Sequence, residues 1–226
     1  MIYLVRHGQS EWNLLRRTQG QISHPGLTVL GRRQASTAAR AIRADAERNG
    51  QPVRSVIASD LVRAVQTAQI VATALAAPVH MDARWREQCL GRLEGLGYDE
   101  TYAELASHRA DPDAPIGGGE SEHQVTERVA AALADVVPTE ATVVVTHGDT
   151  IRCLVAHVTG MAATYDVSHP VPNGAVIVLE GRYGCRIRPL VGPPLVGPPL
   201  VGPPLVGVRS ASEAGPRSSR RRPQML

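Results

Sequence analysis

Short apolar runs alternate with longer amphipathic segments along most of the chain. Runs rich in β-branched and aliphatic residues, bounded by turn-forming residues, predict strands at 2–5, 53–58, 78–81, 142–146, 175–179 and 185–188. Segments whose apolar residues recur three and four positions apart predict helices at 29–49, 61–75, 98–107, 120–137 and 149–158. The pattern therefore predicts strands and helices that follow one another in regular succession.

This succession predicts an α/β fold with three layers, α/β/α, and a largely parallel central sheet. The run at 142–146 is almost entirely β-branched, so we expect a central strand that is buried on both faces. Residues 82–119 are the least regular part of this region. The length suits one ordinary domain, which we place at residues 1–189.

The composition changes from residue 190 onward. The sequence Gly-Pro-Pro-Leu-Val occurs three times in tandem, at 192–196, 197–201 and 202–206. Paired prolines remove backbone donors and prevent both helix and sheet. We therefore predict that residues 190–226 form a separate, disordered tail, a repeat linker followed by a basic Ser/Arg segment.

Charge and composition narrow the classes of partner. Of the 24 arginines and 21 acidic residues, five arginines and one glutamate lie from Pro189 onward, so the body has 19 basic and 20 acidic residues. A nearly neutral body with 3% aromatic residues argues against nucleic-acid binding. No apolar run is long enough for a membrane span, and no signal peptide is visible. Three widely spaced cysteines favour a reducing compartment, so we expect a cytoplasmic protein. A homodimer remains open.

Two of the predicted strands end in histidine followed by glycine. The first gives Arg6-His7-Gly8 and the other gives His147-Gly148. Because parallel strands end at the same edge of a sheet, the two histidines can face one cavity, at the edge where such sheets bind ligands. A neutral imidazole can attack phosphorus, and the planar guanidinium group of Arg6 has N–H donors whose geometry suits a phosphate. The alternative is that each histidine is a buried structural residue.

Two further side chains have the chemistry that such a site would need. Arg63 lies one turn into the helix after the second strand, so its side chain can reach the same edge of the sheet. The alternative interpretation is that Arg63 is an ordinary arginine exposed on the helix surface. Glu87 lies in the irregular segment and could transfer a proton. A third residue, Glu120, opens a predicted helix and could simply interact with its dipole.

Five motifs, taken together and in order, resemble the histidine phosphatase superfamily, also called the phosphoglycerate-mutase-like family, and in particular its phosphatases. The resemblance covers residues 2–188. The motifs are Arg6-His7-Gly8, Ser59-x-Leu61-x-Arg63-Ala64 with Thr67-Ala68, Glu87-x-x-x-Gly91-x-x-Glu94-Gly95, Gly118-Gly119-Glu120-Ser121 and Asn173-Gly174.

The resemblance implies a phosphomonoester hydrolase that acts on a small phosphorylated metabolite, with no metal and no cofactor. His7 would be the nucleophile that forms a phosphohistidine, and Glu87 the general acid. Arg6, Arg63 and a protonated His147 would bind the phosphoryl group. Four further residues are expected to contact the substrate: Asn13, Gln19, Gly20 and Gly148.

Two other functions remain open. One is a phosphoglycerate mutase, and the other is a non-catalytic phosphate-binding protein that recruits a partner through its tail. Mutases of the family carry a long basic insertion after the general acid, whereas residues 87–120 are short here, with Arg92 and Arg109 as the arginines that follow Glu87. His24 occupies a loop position where the family often has Asp, so the identity of the substrate is open.

Overall fold

A computed structural model describes residues 1–107, 111–136, 140–160, 171–181 and 186–192. Within these residues, the strands β1 to β6 span Ile2–Arg6, Val53–Ala58, Val79–Met81, Ala141–Thr146, Val176–Glu180 and Arg186–Val191. The α-helices α1 to α6 span Glu11–Leu14, Val29–Arg48, Val62–Leu75, Tyr98–Ser107, Glu122–Ala134 and Gly148–Thr159.

The six strands form one sheet in the order β3-β2-β4-β1-β5-β6. β1, β2, β3 and β4 run parallel, and β5 is antiparallel to both of its neighbours. The predicted α/β class with a largely parallel sheet is therefore confirmed. β4 lies between β2 and β1 and is buried along its whole length, as its β-branched sequence predicts.

Alternate side chains of the sheet enter two hydrophobic clusters, one on each face. Tyr3 and Val5 join a cluster with apolar residues of α2 and α3, whereas Leu4 joins a cluster with those of α5 and α6. This follows from the two-residue period of a strand. The sequence contains no Phe, and the two clusters are built mainly from Ala, Val, Leu and Ile.

Five of the six α-helices agree with the sequence pattern except at some ends, and the short α1 was not predicted. α5 begins at Glu122 rather than 120, because Ser121 forms a capping box with Gln124. Glu120 therefore does not cap this helix. Among the described residues, no helix is both long enough and apolar enough to cross a lipid bilayer.

The sheet extends beyond the predicted domain boundary at residue 189. β6 continues to Val191, which pairs with Val176, and both Leu190 and Val191 pack against the cluster on the α2 and α3 face. The predicted disordered tail falls almost wholly on residues outside those that the structure describes.

This extension predicts a difference between two truncations. We expect a chain that ends at Pro189 to melt several degrees lower than one that ends at Gly192. The shorter chain loses the partly buried side chains of Leu190 and Val191, on the order of 1–2 kcal/mol. Thermal unfolding of the two proteins, with the full chain as reference, measures the difference. Equal melting temperatures would mean that the last strand contributes nothing beyond Pro189.

Candidate active site

The structure brings the two strand-end histidines together. Arg6 at the end of β1 is in register with Thr146 at the end of β4, and the His7 N–H donates to the Thr146 carbonyl at 3.0 Å. The ring centroids of His7 and His147 are 5.1 Å apart, in an edge-on arrangement. Their exposed fractions are 2% and 0%. The sheet edge therefore holds two buried imidazoles side by side.

His7 is held as a neutral imidazole in one tautomer. Its Nδ1 lies 2.7 Å from the Gly8 carbonyl oxygen, which can only accept, so Nδ1 carries the proton and Nε2 keeps its lone pair. Burial, followed by the charges of Arg63 and Arg6, holds the pKa of His7 well below its usual value. A neutral ring with an unprotonated Nε2 is what a nucleophilic histidine requires.

His147 is neutral as well in the protein alone, and its protonation beside a bound phosphoryl group stays a prediction. Burial is the first cause that lowers its pKa, and the neighbouring Arg63 is the second. Its Nε2 lies 2.8 Å from Ser59 Oγ, and its buried Nδ1 has no hydrogen-bond partner among the described residues. A phosphate dianion beside the ring would favour the protonated form. The buried Nδ1 is thus suited to donate to an anion.

Arg63 is buried, not exposed on its helix. It is 1% exposed, and its two terminal nitrogens donate to the carbonyls of Gly20 and Ile22, each at 2.7 Å. Its Nε has no hydrogen-bond partner among the described residues. Burial lowers the pKa of Arg63 to about 10, so the group stays charged at neutral pH. This cation is fixed in place by backbone oxygens.

Arg6 supplies a second cation beside the first turn of α6. Its Nη1 donates to the Val171 carbonyl. A Cβ on Gly148 would lie 3.5 Å from the Arg6 guanidinium carbon, so the guanidinium rests against the start of this helix. Helix N-termini favour anions, and Arg6 adds a full charge at the same place.

Glu87 reaches the same helix N-terminus from the irregular segment. Its Oε1 accepts from the backbone N–H groups of Gln88 and Thr150, both at 3.1 Å, and from Thr150 Oγ1 at 3.2 Å. Its Oε2 has one long contact, 3.4 Å from the Asp149 N–H. Oε2 receives fewer hydrogen bonds than Oε1 and is therefore the oxygen that can exchange a proton. Across the described ranges, no three His, Cys, Asp or Glu side chains gather as a metal site would require.

The other predicted substrate contacts hold the loops around the site. Asn13 Oδ1 accepts from Asn173 at 3.1 Å, and its amide nitrogen lies 3.4 Å from the Tyr98 hydroxyl. Gln19 Oε1 accepts from Ser10 Oγ at 2.7 Å. Donation by these two amides to a phosphoryl group remains a prediction. Gly20 supplies the carbonyl for Arg63 and has φ +48°, which suits glycine.

Several residues of the site were not singled out from the sequence. Ser59 contacts His147, and Thr67 accepts from the Gly8 N–H at 3.1 Å. Thr150 holds Glu87, and Asn173 donates to the His7 carbonyl at 3.2 Å. All of these residues except Thr150 lie within the motifs quoted above, so the sequence pointed to them, but no role was assigned to them there. His24, at the unusual loop position, is exposed, and its ring centroid is 5.1 Å from that of Trp12.

The two neutral histidines predict how stability depends on pH. An unfolded chain takes up protons near pH 6.5, whereas the folded site resists them, so below that pH the unfolded state binds more protons. We expect the melting temperature to fall from pH 7 to pH 5.5, with up to ~1.4 kcal/mol lost per pH unit for each histidine. Above pH 6.5 this contribution is fully present.

Differential scanning fluorimetry of His7→Asn tests this dependence. The variant should show a shallower fall over the same pH interval, whereas His80→Asn, on the exposed edge of the sheet, should keep the original slope. An unchanged slope in His7→Asn would contradict the assignment of the titration to the buried pair.

Comparison with known proteins gives one matching family model. The model of the histidine phosphatase superfamily (branch 1) matches residues 2–188. The chain is 37% identical over 170 residues to a probable phosphoglycerate mutase, GpmB, of Cronobacter sakazakii, covering 72% of this chain and 76% of that protein.

Solved structures are similar as well. A mycobacterial glucosyl-3-phosphoglycerate phosphatase in complex with VO3 superposes with a TM-score of 0.65 at 29% identity, over 78% of this chain and 90% of the other. A mutant phosphoserine phosphatase of Entamoeba histolytica in complex with phosphoserine gives a TM-score of 0.65 at 25% identity, over 79% and 90% of the two chains.

Proposed function

Since the chain belongs to branch 1 of the histidine phosphatase superfamily, we propose that it hydrolyses small phosphomonoesters through a phosphohistidine on His7. The observation that carries this proposal is the buried, neutral His7, with its Nε2 lone pair available beside His147. Arg63 Nε and His147 Nδ1 are buried and have no hydrogen-bond partner within the described part of the chain, which supports an anion as the ligand.

The first step transfers the phosphoryl group to the enzyme. His7 Nε2 attacks phosphorus, a P–N bond forms, and the P–O bond to the substrate alcohol breaks. The Arg6 and Arg63 cations stabilise the charge on the phosphoryl oxygens. Oε2 of protonated Glu87 gives its proton to the leaving oxygen, which departs as an alcohol instead of an alkoxide.

The second step returns the enzyme to its starting state. Glu87, now ionised, takes a proton from a water molecule whose oxygen attacks phosphorus. The P–N bond breaks, the lone pair returns to His7 Nε2, and orthophosphate is released. Ser59 donates its hydroxyl to His147 Nε2, and His147 Nδ1–H donates to the phosphoryl oxygens during both steps.

Phosphoglycerate mutase activity is the second candidate, and the names of the sequence relatives favour it. The phosphatase reading is supported by the names of the two similar structures and by the short segment between Glu87 and Glu120. The loop in this segment carries Asp111 and Asp113, with Asp113 paired to His123 at 2.8 Å. An acidic loop does not supply the positive charge that would help a mutase to retain an anionic intermediate.

A direct comparison of the two activities tests the proposal. The protein is incubated with 3-phosphoglycerate and catalytic 2,3-bisphosphoglycerate, and with a panel that includes phosphoserine, glucosyl-3-phosphoglycerate and p-nitrophenyl phosphate. We expect phosphate release from at least one ester to exceed any isomerisation of 3-phosphoglycerate. Rapid isomerisation with negligible phosphate release would establish the mutase instead. No release from any ester would favour a non-catalytic phosphate-binding protein.

The proposal includes independence from metal. The charges that face the phosphoryl group come from Arg6 and Arg63, which suffice for a phosphate dianion. We therefore expect phosphatase activity to be unchanged after treatment with excess EDTA and gel filtration. Activity that is lost and then restored by one divalent ion would require a different mechanism.

A further inference from the structure

Glu87 lies on a segment that is itself neither helix nor strand. The segment runs between two short 3₁₀ turns, Ala83–Trp85 and Gly91–Leu93, and leaves carbonyl groups that need donors from elsewhere. Arg128, on α5, supplies them. Its guanidinium donates to the carbonyls of Arg84 at 2.7 Å, Arg86 at 2.8 Å and Glu87 at 3.0 Å.

Glu120 completes this arrangement from the other side. Its carboxylate accepts from Arg128 Nε at 2.8 Å and Nη2 at 3.0 Å, and also from the Cys89 N–H at 2.8 Å. Burial opposes the charge on Glu120, but the hydrogen bonds from Arg128 and Cys89 outweigh it and lower the pKa. We call this ion pair, Glu120 and Arg128, the clamp. The clamp forms hydrogen bonds with the backbone on both sides of Glu87.

The clamp is also connected to the loop that holds the phosphate-binding cation. The Gln21 amide donates to the Glu87 carbonyl at 3.1 Å and to Glu120 Oε2 at 3.2 Å. The residues on either side of Gln21 provide the two carbonyls that fix Arg63. A continuous set of hydrogen bonds therefore connects the clamp to the loop whose carbonyl groups bind Arg63.

We propose that Glu120 and Arg128 are positioning residues, which set the location of the Glu87 carboxyl group relative to the phosphoryl group on His7. The inference rests on the proposed function, because it concerns how Glu87 transfers its proton. A displacement of about 1 Å in a reacting group can cost on the order of 10²-fold in rate. Lysine cannot replace Arg128 fully, because an ammonium group lacks the planar fork that reaches three carbonyls and a carboxylate.

The test compares leaving groups that need a proton with one that does not. First-turnover release of alcohol is measured for phosphoserine, and first-turnover release of nitrophenol for p-nitrophenyl phosphate. Arg128→Met should slow the first by ~30- to 100-fold and the second by less than ~3-fold, because nitrophenolate leaves without a proton. Glu120→Gln and Arg128→Lys should also slow phosphoserine more than p-nitrophenyl phosphate, but both rates should fall less than in Arg128→Met. Arg92→Met, which removes an exposed ion pair with Glu104, should change neither rate.

A double variant separates positioning from general damage. If Arg128 acts through Glu87, then Glu87→Gln with Arg128→Met should be no slower on phosphoserine than Glu87→Gln alone. Equal losses on both substrates, or losses that multiply with those of Glu87→Gln, would overturn the proposal. Arg128→Lys and Glu120→Gln provide the same readout if Arg128→Met does not fold. Failure of the proposed function is recognised separately, because the wild-type protein would then release no phosphate from either ester.

Discussion

Replacing His7 by alanine is expected to lower turnover of every substrate by about 10³-fold or more. The His7 imidazole is the one side chain that forms a bond to phosphorus in the proposed mechanism, so its removal takes away the nucleophile of the first step. Arg6, Arg63 and His147 would still bind the phosphoryl group, so binding of inorganic phosphate should persist in the variant. A loss of kcat with retained phosphate binding is the signature that we expect.

Steady-state kinetics and calorimetric titration with phosphate measure the two quantities. His80→Ala serves as the control, because His80 lies exposed on β3 at the far edge of the sheet. Activity of His7→Ala within tenfold of wild type would remove His7 from the mechanism.

Glu87→Gln is expected to slow first-turnover release of alcohol from an alkyl phosphate by about 10²- to 10⁴-fold. Release of nitrophenol should change only a few-fold, because a nitrophenolate needs no proton to leave. The glutamine oxygen can still accept from the Thr150 N–H, so the substitution removes the proton and largely keeps the contacts.

Equal slowing of both substrates would assign Glu87 a structural role. Glu94 is then the alternative acid, although its Oε1 accepts from the Gln21 N–H at 2.9 Å and the Leu90 N–H at 3.0 Å. Glu104→Gln, which removes a partly exposed carboxylate on α4 that pairs with Arg92, is the matched control for the loss of one carboxylate.

Local sequence patterns were enough to predict the sheet and the sheet edge at which the candidate residues meet. The β-branched run before His147 could only be a buried central strand, and a buried parallel strand brings its last residues to the same edge as those of β1. The positions of both histidines and of Arg63 at this edge could be predicted, because each residue lies within two residues of the end of a strand or the start of a helix.

The electrostatic state of the site could not be predicted in the same way. Burial and the neighbouring Arg63 lower the pKa of His147, and neither is visible from a strand-end motif. An interaction with the helix dipole was the alternative for Glu120, because this residue opens the predicted helix. Its actual partner, Arg128, is eight residues later and meets it only once α5 has formed.

Contacts between distant segments were also beyond the sequence pattern. The continuation of β6 to Val191 depends on pairing with Val176, which overrides the change in composition from residue 190. The contact of Thr150 with Glu87 joins residues 63 positions apart. Such contacts depend on tertiary packing, for which a single sequence contains no periodic signal.

Trapping the phosphorylated enzyme tests the central claim most directly. The wild-type protein is mixed with its best substrate, quenched in base within milliseconds and digested, and the phosphopeptides are identified by mass spectrometry. The mechanism predicts one acid-labile, base-stable phosphate on His7, which forms and decays at rates that account for kcat and yields free phosphate. Phosphate on another residue, or normal turnover with no phosphorylated enzyme, would contradict it.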